Sequence, residues 1–155
     1  MNTIIFFLFF VTICGILFFI SRQRSKKQIK KLLNEIWGDI RFRANSIKCW
    51  NLTSGLKNVD YFITKCDVCV TSELIILLAT GVTPIILTKK ADCLQKNPFA
   101  KVVNNFKLIF NQTNPYVVIK FGKASITETS VELTLRTLTD MEKKELQRLY
   151  ESMFD

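Results

Sequence analysis

Five cysteines carry most of the reactive chemistry this chain could offer: Cys14, Cys49, Cys66, Cys69 and Cys93. Cys66-Asp67-Val68-Cys69 is the one motif-like cluster. A redox CxxC normally opens a helix, whose N-terminus lowers the thiol pKa. Here Val70 and Thr71 follow, and the surrounding pattern is that of a strand. Residues i and i+3 of a strand point to opposite faces, so the two thiols would not meet. Zinc could recruit Cys49 and Cys93 as well, but a second CxxC is missing. Structural thiols are the preferred reading over zinc and over redox chemistry. The odd cysteine count and irregular spacing also argue against a disulfide scaffold.

Other chemistries are excluded or weakened by what the chain lacks. It has no histidine. That removes Ser-His-Asp and Cys-His nucleophile pairs, HExxH zinc proteases and imidazole metal ligands. Its five glycines are too far apart to cradle a phosphate. Asp60, Asp67, Glu73 and Asp92 have no partner that spacing places beside them, so turn or surface roles are expected. Trp37, Trp50 and Tyr61 read as core residues rather than as a ligand platform. No catalytic residue, metal or cofactor is expected, and an enzyme working without histidine is the disfavoured alternative.

The charge is unevenly placed. The chain of 155 residues has a formal net charge of +9. Nine basic residues against Glu35 and Asp39 fall between Arg22 and Lys48, leaving only +2 for the rest. Arg22, Arg24, Lys26, Lys27, Lys30 and Lys31 form the densest cluster. These six are the candidate membrane-surface contacts, each contributing about 1 kcal/mol beside anionic lipid. The simpler account of the same cluster is an orientation signal. Nucleic acid is not an expected partner, since basic residues interleaved with aromatics are missing from the rest of the chain.

The cluster follows Thr3–Ile20, a stretch without charge or proline. Fourteen of its residues are Ile, Leu, Phe or Val, which favours insertion by roughly 4 to 8 kcal/mol. As a helix it would span about 27 Å, against about 30 Å of bilayer core. A cleaved signal would need a basic leader and a small-residue cleavage site, and neither is visible. The expectation is a retained single-pass transmembrane anchor in the cell membrane. The basic residues behind it put the C-terminal domain in the cytoplasm.

The elements positioning these groups follow in order. Ile29, Leu32, Leu33, Ile36 and Trp37 make a helical stripe that Gly38 closes. Ile40, Phe42 and Ala44 alternate with Arg41 and Arg43 as a strand, which Ile47 to Trp50 could continue. Residues 51–60 read as a loop. Further strands are expected over 62–70, 74–79, 85–88, 106–110, 116–121 and 131–136, with 106–121 a hairpin. Lys89 to Asn105 reads as a loop or a short helix from about Ala100. Thr139 with Glu142 is a capping box that opens a last helix, with Leu146, Leu149, Tyr150, Met153 and Phe154 on one face.

The expected domains are therefore an anchor over 1–21, a basic juxtamembrane amphipathic helix over 22–38 and a β-rich domain over 39–155. From Val68 to Leu78, the strand, Thr-led turn and strand resemble those of the pleckstrin-homology-like superfold, including its bacterial and GRAM-type members. The terminal helix adds to that resemblance. Together with the anchor, it implies an α+β fold: a transmembrane helix, then a small antiparallel barrel or sandwich closed by a C-terminal amphipathic helix. It further implies a non-catalytic binding or scaffolding module. Expected partners are the lipid bilayer and a protein or peptide. The main rival is an accessory subunit of a membrane complex, packed through its transmembrane helix.

Overall fold

The computed structural model describes residues 2–54, 63–89, 100–111, 116–122 and 130–154, without the side chains of residues 2–5, 21, 22, 25, 37, 54 and 154. Asp60, Tyr61, Phe62, Asp92 and Cys93 lie outside the described residues, as does most of the loop or helix expected from Lys89 to Asn105.

One helix, α1, runs unbroken from Asn2 to Ile36. Nothing in its sequence stops it: no proline occurs, and long apolar side chains give way to Lys, Arg, Gln and Leu. A single 3-10 turn over Trp37–Asp39 ends it. Among the described residues eight strands follow: β1 (Phe42–Ser54), β2 (Lys65–Val70), β3 (Ile75–Leu78), β4 (Ile85–Leu87), β5 (Lys101–Val103), β6 (Phe106–Phe110), β7 (Val117–Phe121) and β8 (Ser130–Leu135). A last helix, α2 (Asp140–Phe154), closes the chain.

The strands form one sheet in the order β5-β4-β3-β2-β1-β8-β7-β6. Every neighbouring pair is antiparallel except β4 and β5, which run parallel. β1 joins the two halves. Its first part pairs with β2, from Phe42 opposite Val70 to Lys48 opposite Lys65. Its second part pairs with β8, from Cys49 opposite Leu135 to Ser54 opposite Ser130. A bulge breaks the register between Ala44 and Ile47, and Ser46 sits there at φ 59°. Bulges bend a strand and increase its twist, which helps the sheet curl. The inner face then closes around α2. Ile85 of β4 and Leu108 of β6 lie far apart in strand order, yet both join one core with Leu146 and Leu149. The result is a nearly closed, barrel-like mixed sheet.

α2 is held at both ends of its apolar face. The Glu142 amide donates to Thr139 Oγ1 at 3.2 Å, and the Thr139 amide donates back to Glu142 Oε2 at 2.8 Å. Leu146 is fully buried. Tyr150 packs edge-on against Phe106, with ring centroids 6.5 Å apart.

The outer face of the sheet is covered only in part. Cys69, Ile76, Leu78 and Ile86 form a second core with Leu32 of α1, and Ile29, Leu33 and Ile36 pack against it. β3 and β4 are thus buried on both faces, which is why Ile75–Leu78 and Ile85–Leu87 read as continuous apolar runs.

Several expectations are corrected here. Among the described residues, no helix is long and apolar enough to cross a membrane. The turns of α1 that follow Ile20 serve the sheet through Ile29, Leu32, Leu33 and Ile36. A single-pass anchor in the cell membrane, and the cytoplasmic placement that rested on it, are therefore not supported. The sheet is also not the expected antiparallel pleckstrin-homology-like barrel. It has eight strands, and Lys101–Val103 is a strand parallel to β4 where a loop or helix was expected. Asn51–Ser54 extends β1 instead of forming a loop, because β8 supplies hydrogen-bonding partners along its whole length. Polar loop-like composition is no obstacle to a strand when a neighbour offers a complete ladder.

Candidate functional site

The two ends of α1 differ in their surroundings. Every residue from Phe6 to Ile20 is exposed. Phe6 keeps 73% of its surface and Phe18 70%. The only polar side chain with a local bond there is that of Thr12, whose Oγ1 donates to the Leu8 carbonyl at 2.8 Å. This satisfies the hydroxyl within the helix and leaves the outside apolar. Gly15 has open space around it. At its C-terminal end, Leu17 and Ile20 share a hollow with Gly81, Val82 and Thr83 of the β3–β4 turn, yet both remain exposed. About three turns later the helix packs on the sheet, and Leu32 is 1% exposed.

Five of the six expected surface-contact residues have described side chains: Arg24, Lys26, Lys27, Lys30 and Lys31. All five are exposed. The Arg22 side chain lies outside the described residues. The periodicity that turns Ile29, Leu32, Leu33 and Ile36 inward turns these cations outward. An uncovered apolar cylinder therefore ends in a basic collar, and the collar borders the sheet.

A groove of about 620 Å³ lies where the collar meets the sheet. Ile29 and Leu33 form part of its apolar wall, with Lys26 and Lys30 on the helix side and Lys65 and Asp67 on the sheet side. Asp67 is already engaged. It takes a salt bridge from Arg43 at 3.1 Å and the Ser46 amide at 2.8 Å. Its role is to hold the β1 bulge, not to act as a free acid. Asp39 is likewise engaged: Ser72 Oγ donates to it at 2.7 Å, and that hydrogen bond holds its carboxyl below the usual carboxylate range.

The cysteines are rearranged relative to their spacing. Cys66 faces the inner core and Cys69 the outer one, so the CxxC thiols lie on opposite faces. Cys49, on the neighbouring strand, brings its Sγ to 3.3 Å from that of Cys66. The thiol of Cys66 can donate to Cys49, and that of Cys49 to the Ile47 carbonyl at 3.3 Å. Accepting from Cys66 lowers the Cys49 pKa, whereas donating to Cys49, with burial, raises that of Cys66. Burial pushes Cys69 up to about 11. Sequence spacing could not reveal the Cys49–Cys66 pair, because it depends on the register after the bulge. Among the described residues, no group of three or more His, Cys, Asp or Glu side chains could hold a metal ion.

Trp50 departs from its expected core place. It is 65% exposed and lines a hollow of about 350 Å³ on the outer face, beside Val118 and Ile109. The Arg136 guanidinium lies 5.4 Å from the centre of the Tyr116 ring there. The reason is local: Trp50 is on the half of the outer sheet face that α1 does not reach.

No protein-family model matches the chain, and no curated protein or solved structure is significantly similar to it. The resemblance to pleckstrin-homology-like domains thus has no support from the comparisons, and the mixed eight-stranded sheet argues against it.

Proposed function

We propose that this chain is a non-catalytic binding module that attaches to an anionic lipid surface through α1 and holds its curled sheet beside that surface. One observation carries the reading: fifteen consecutive residues, Phe6 to Ile20, are exposed and almost wholly apolar. A helix that is apolar on every face is stable in water only if something covers it. The basic collar gives the occupant its chemistry. Arg24, Lys26, Lys27, Lys30 and Lys31 stand where headgroups would lie, and acidic headgroups would neutralise them.

The magnitudes rank the two parts. Removing a large apolar side chain from water is worth about 1.5–3 kcal/mol. A basic residue near an anionic surface contributes about 1 kcal/mol. Immersing half of the exposed segment would therefore outweigh the whole collar, which sets depth and lipid preference. Attachment here means entry from one side, and no crossing is involved. Positioned this way, the curled sheet would offer its uncovered face to partners gathered at the same surface.

Flotation of the full chain with lipid vesicles tests the reading. The chain should float with phosphatidylcholine vesicles and float more completely when phosphatidylglycerol is added. A variant with Phe9→Asp and Phe10→Asp should stay at the bottom of the gradient. If the native chain also stays down and runs as a defined oligomer in mild detergent, the segment is covered by protein and the lipid reading fails.

A further inference from the structure

We propose that Cys49 and Cys66 form a redox-active dithiol that low-molecular-weight disulfides convert to an intramolecular disulfide across β1 and β2. The Sγ atoms are 3.3 Å apart on neighbouring antiparallel strands. Cys66 is opposite Ile47, so Cys49, two residues further on, is its diagonal neighbour on the same face. Two sulfurs already in contact need only a small approach to bond. The bulge between Ala44 and Ile47 lies just beside them and breaks the regular ladder where that adjustment would occur.

The two thiols have different surroundings, and this assigns the order of events. Cys66 is 2% exposed, whereas Cys49 is partly exposed. The hydrogen bond from Cys66 favours the thiolate of Cys49, which makes Cys49 the attacking sulfur. Its thiolate attacks one sulfur of the reagent, the reagent's S–S bond breaks, and one thiolate leaves and takes up a proton. The product is a mixed disulfide on Cys49. Cys66 then gives its proton to solvent, and its sulfur attacks Cys49 Sγ. The second reagent thiolate leaves with the bonding electron pair and is protonated. Two protein thiols are oxidised by two electrons, and one reagent disulfide is reduced to two thiols.

The pair differs from what the sequence offers. Cys66 and Cys69 have the familiar CxxC spacing, but the sheet separates them. The juxtaposition of Cys49 with Cys66 is independent of the lipid reading.

The test is oxidised glutathione added to the reduced full chain in detergent, followed by alkylation of remaining thiols and peptide mapping. The expected result is a peptide pair joined through Cys49 and Cys66, with a mass lower by two hydrogens, about 2 Da. Cys66→Ser should instead accumulate the glutathione adduct on Cys49. Cys49→Ser should leave Cys66 unreacted until the chain is denatured. The mapping of the native chain stands even if a variant fails to fold. A stable adduct on Cys49 in the native chain, a Cys66–Cys69 crosslink, or full alkylation of both thiols after treatment would each overturn the proposal.

Discussion

The fold treats the apolar side chains of α2 and those of the first half of α1 oppositely. On α2 they form one face. Leu146 and Leu149 enter the barrel-like core, and charged residues occupy the other side. On α1, Phe6 to Ile20 are almost wholly apolar, and all of them remain exposed. The second half of α1 behaves like α2, burying Leu32 and turning its lysines outward. The difference is one of pattern rather than of hydrophobic content. A stripe matches a sheet face and is consumed by folding. A cylinder has no single face to offer, so the domain leaves it for another occupant.

That comparison is broken most directly by charge placed in each set. Leu149→Asp should destabilise the domain by about 3–5 kcal/mol, because the aspartate would be buried without a partner. Urea unfolding followed by tryptophan fluorescence would measure it, and a midpoint near that of the native chain would remove α2 from the core. Phe9→Asp, by contrast, should shift stability by no more than about 0.5 kcal/mol while abolishing vesicle binding. A large loss of stability there would mean that the domain itself covers the segment. Leu32→Ala tests the second half of α1. Truncating this side chain should cost about 2–4 kcal/mol.

Much of this contrast was legible in the sequence, for a physical reason. Periodicity reports how a helix is divided between core and solvent. The stripe through Ile29, Leu32, Leu33 and Ile36 was therefore visible, as was the capping box at Thr139. The pairing of β6 with β7 was readable because its turn is local. What the sequence concealed depends on distant partners. β1 runs through Asn51–Ser54 because β8, nearly eighty residues later, completes its ladder. β5 is a strand because β4 accepts it in parallel. The Cys49–Cys66 contact and the exposure of Trp50 follow from register and from where α1 stops covering the sheet. The apolar run of α1 suggested a crossing, but among the described residues no helix is long and apolar enough for one, and α1 continues into turns that belong to the domain.

Smaller effects sharpen the same picture. Thr139→Ala removes the hydroxyl that caps α2 and should cost about 1 kcal/mol. If the melting temperature is unchanged, the α2 start is held by packing alone. The Asp39–Ser72 bond joins the end of α1 to the turn before β3. Since its folded pKa is lowered, its contribution is present above the ordinary carboxylate pKa of about 3.9 and fades as pH falls through the lowered value. Asp39→Asn should therefore flatten slightly the fall of stability below about pH 4, and an unchanged acid limb would show that the bond contributes nothing.

The central claim is that the first half of α1 is left free by the fold and is covered by lipid. Amide hydrogen exchange of the full chain, with and without phosphatidylglycerol-containing vesicles, tests it most directly. Without vesicles, amides from Phe6 to Ile20 should exchange far faster than those of α2, because an uncovered helical segment opens easily. With vesicles, new protection should appear in that segment and the barrel-like core should not change. Equal protection of both helices before any lipid is added would contradict the account, as would vesicle protection confined to the sheet.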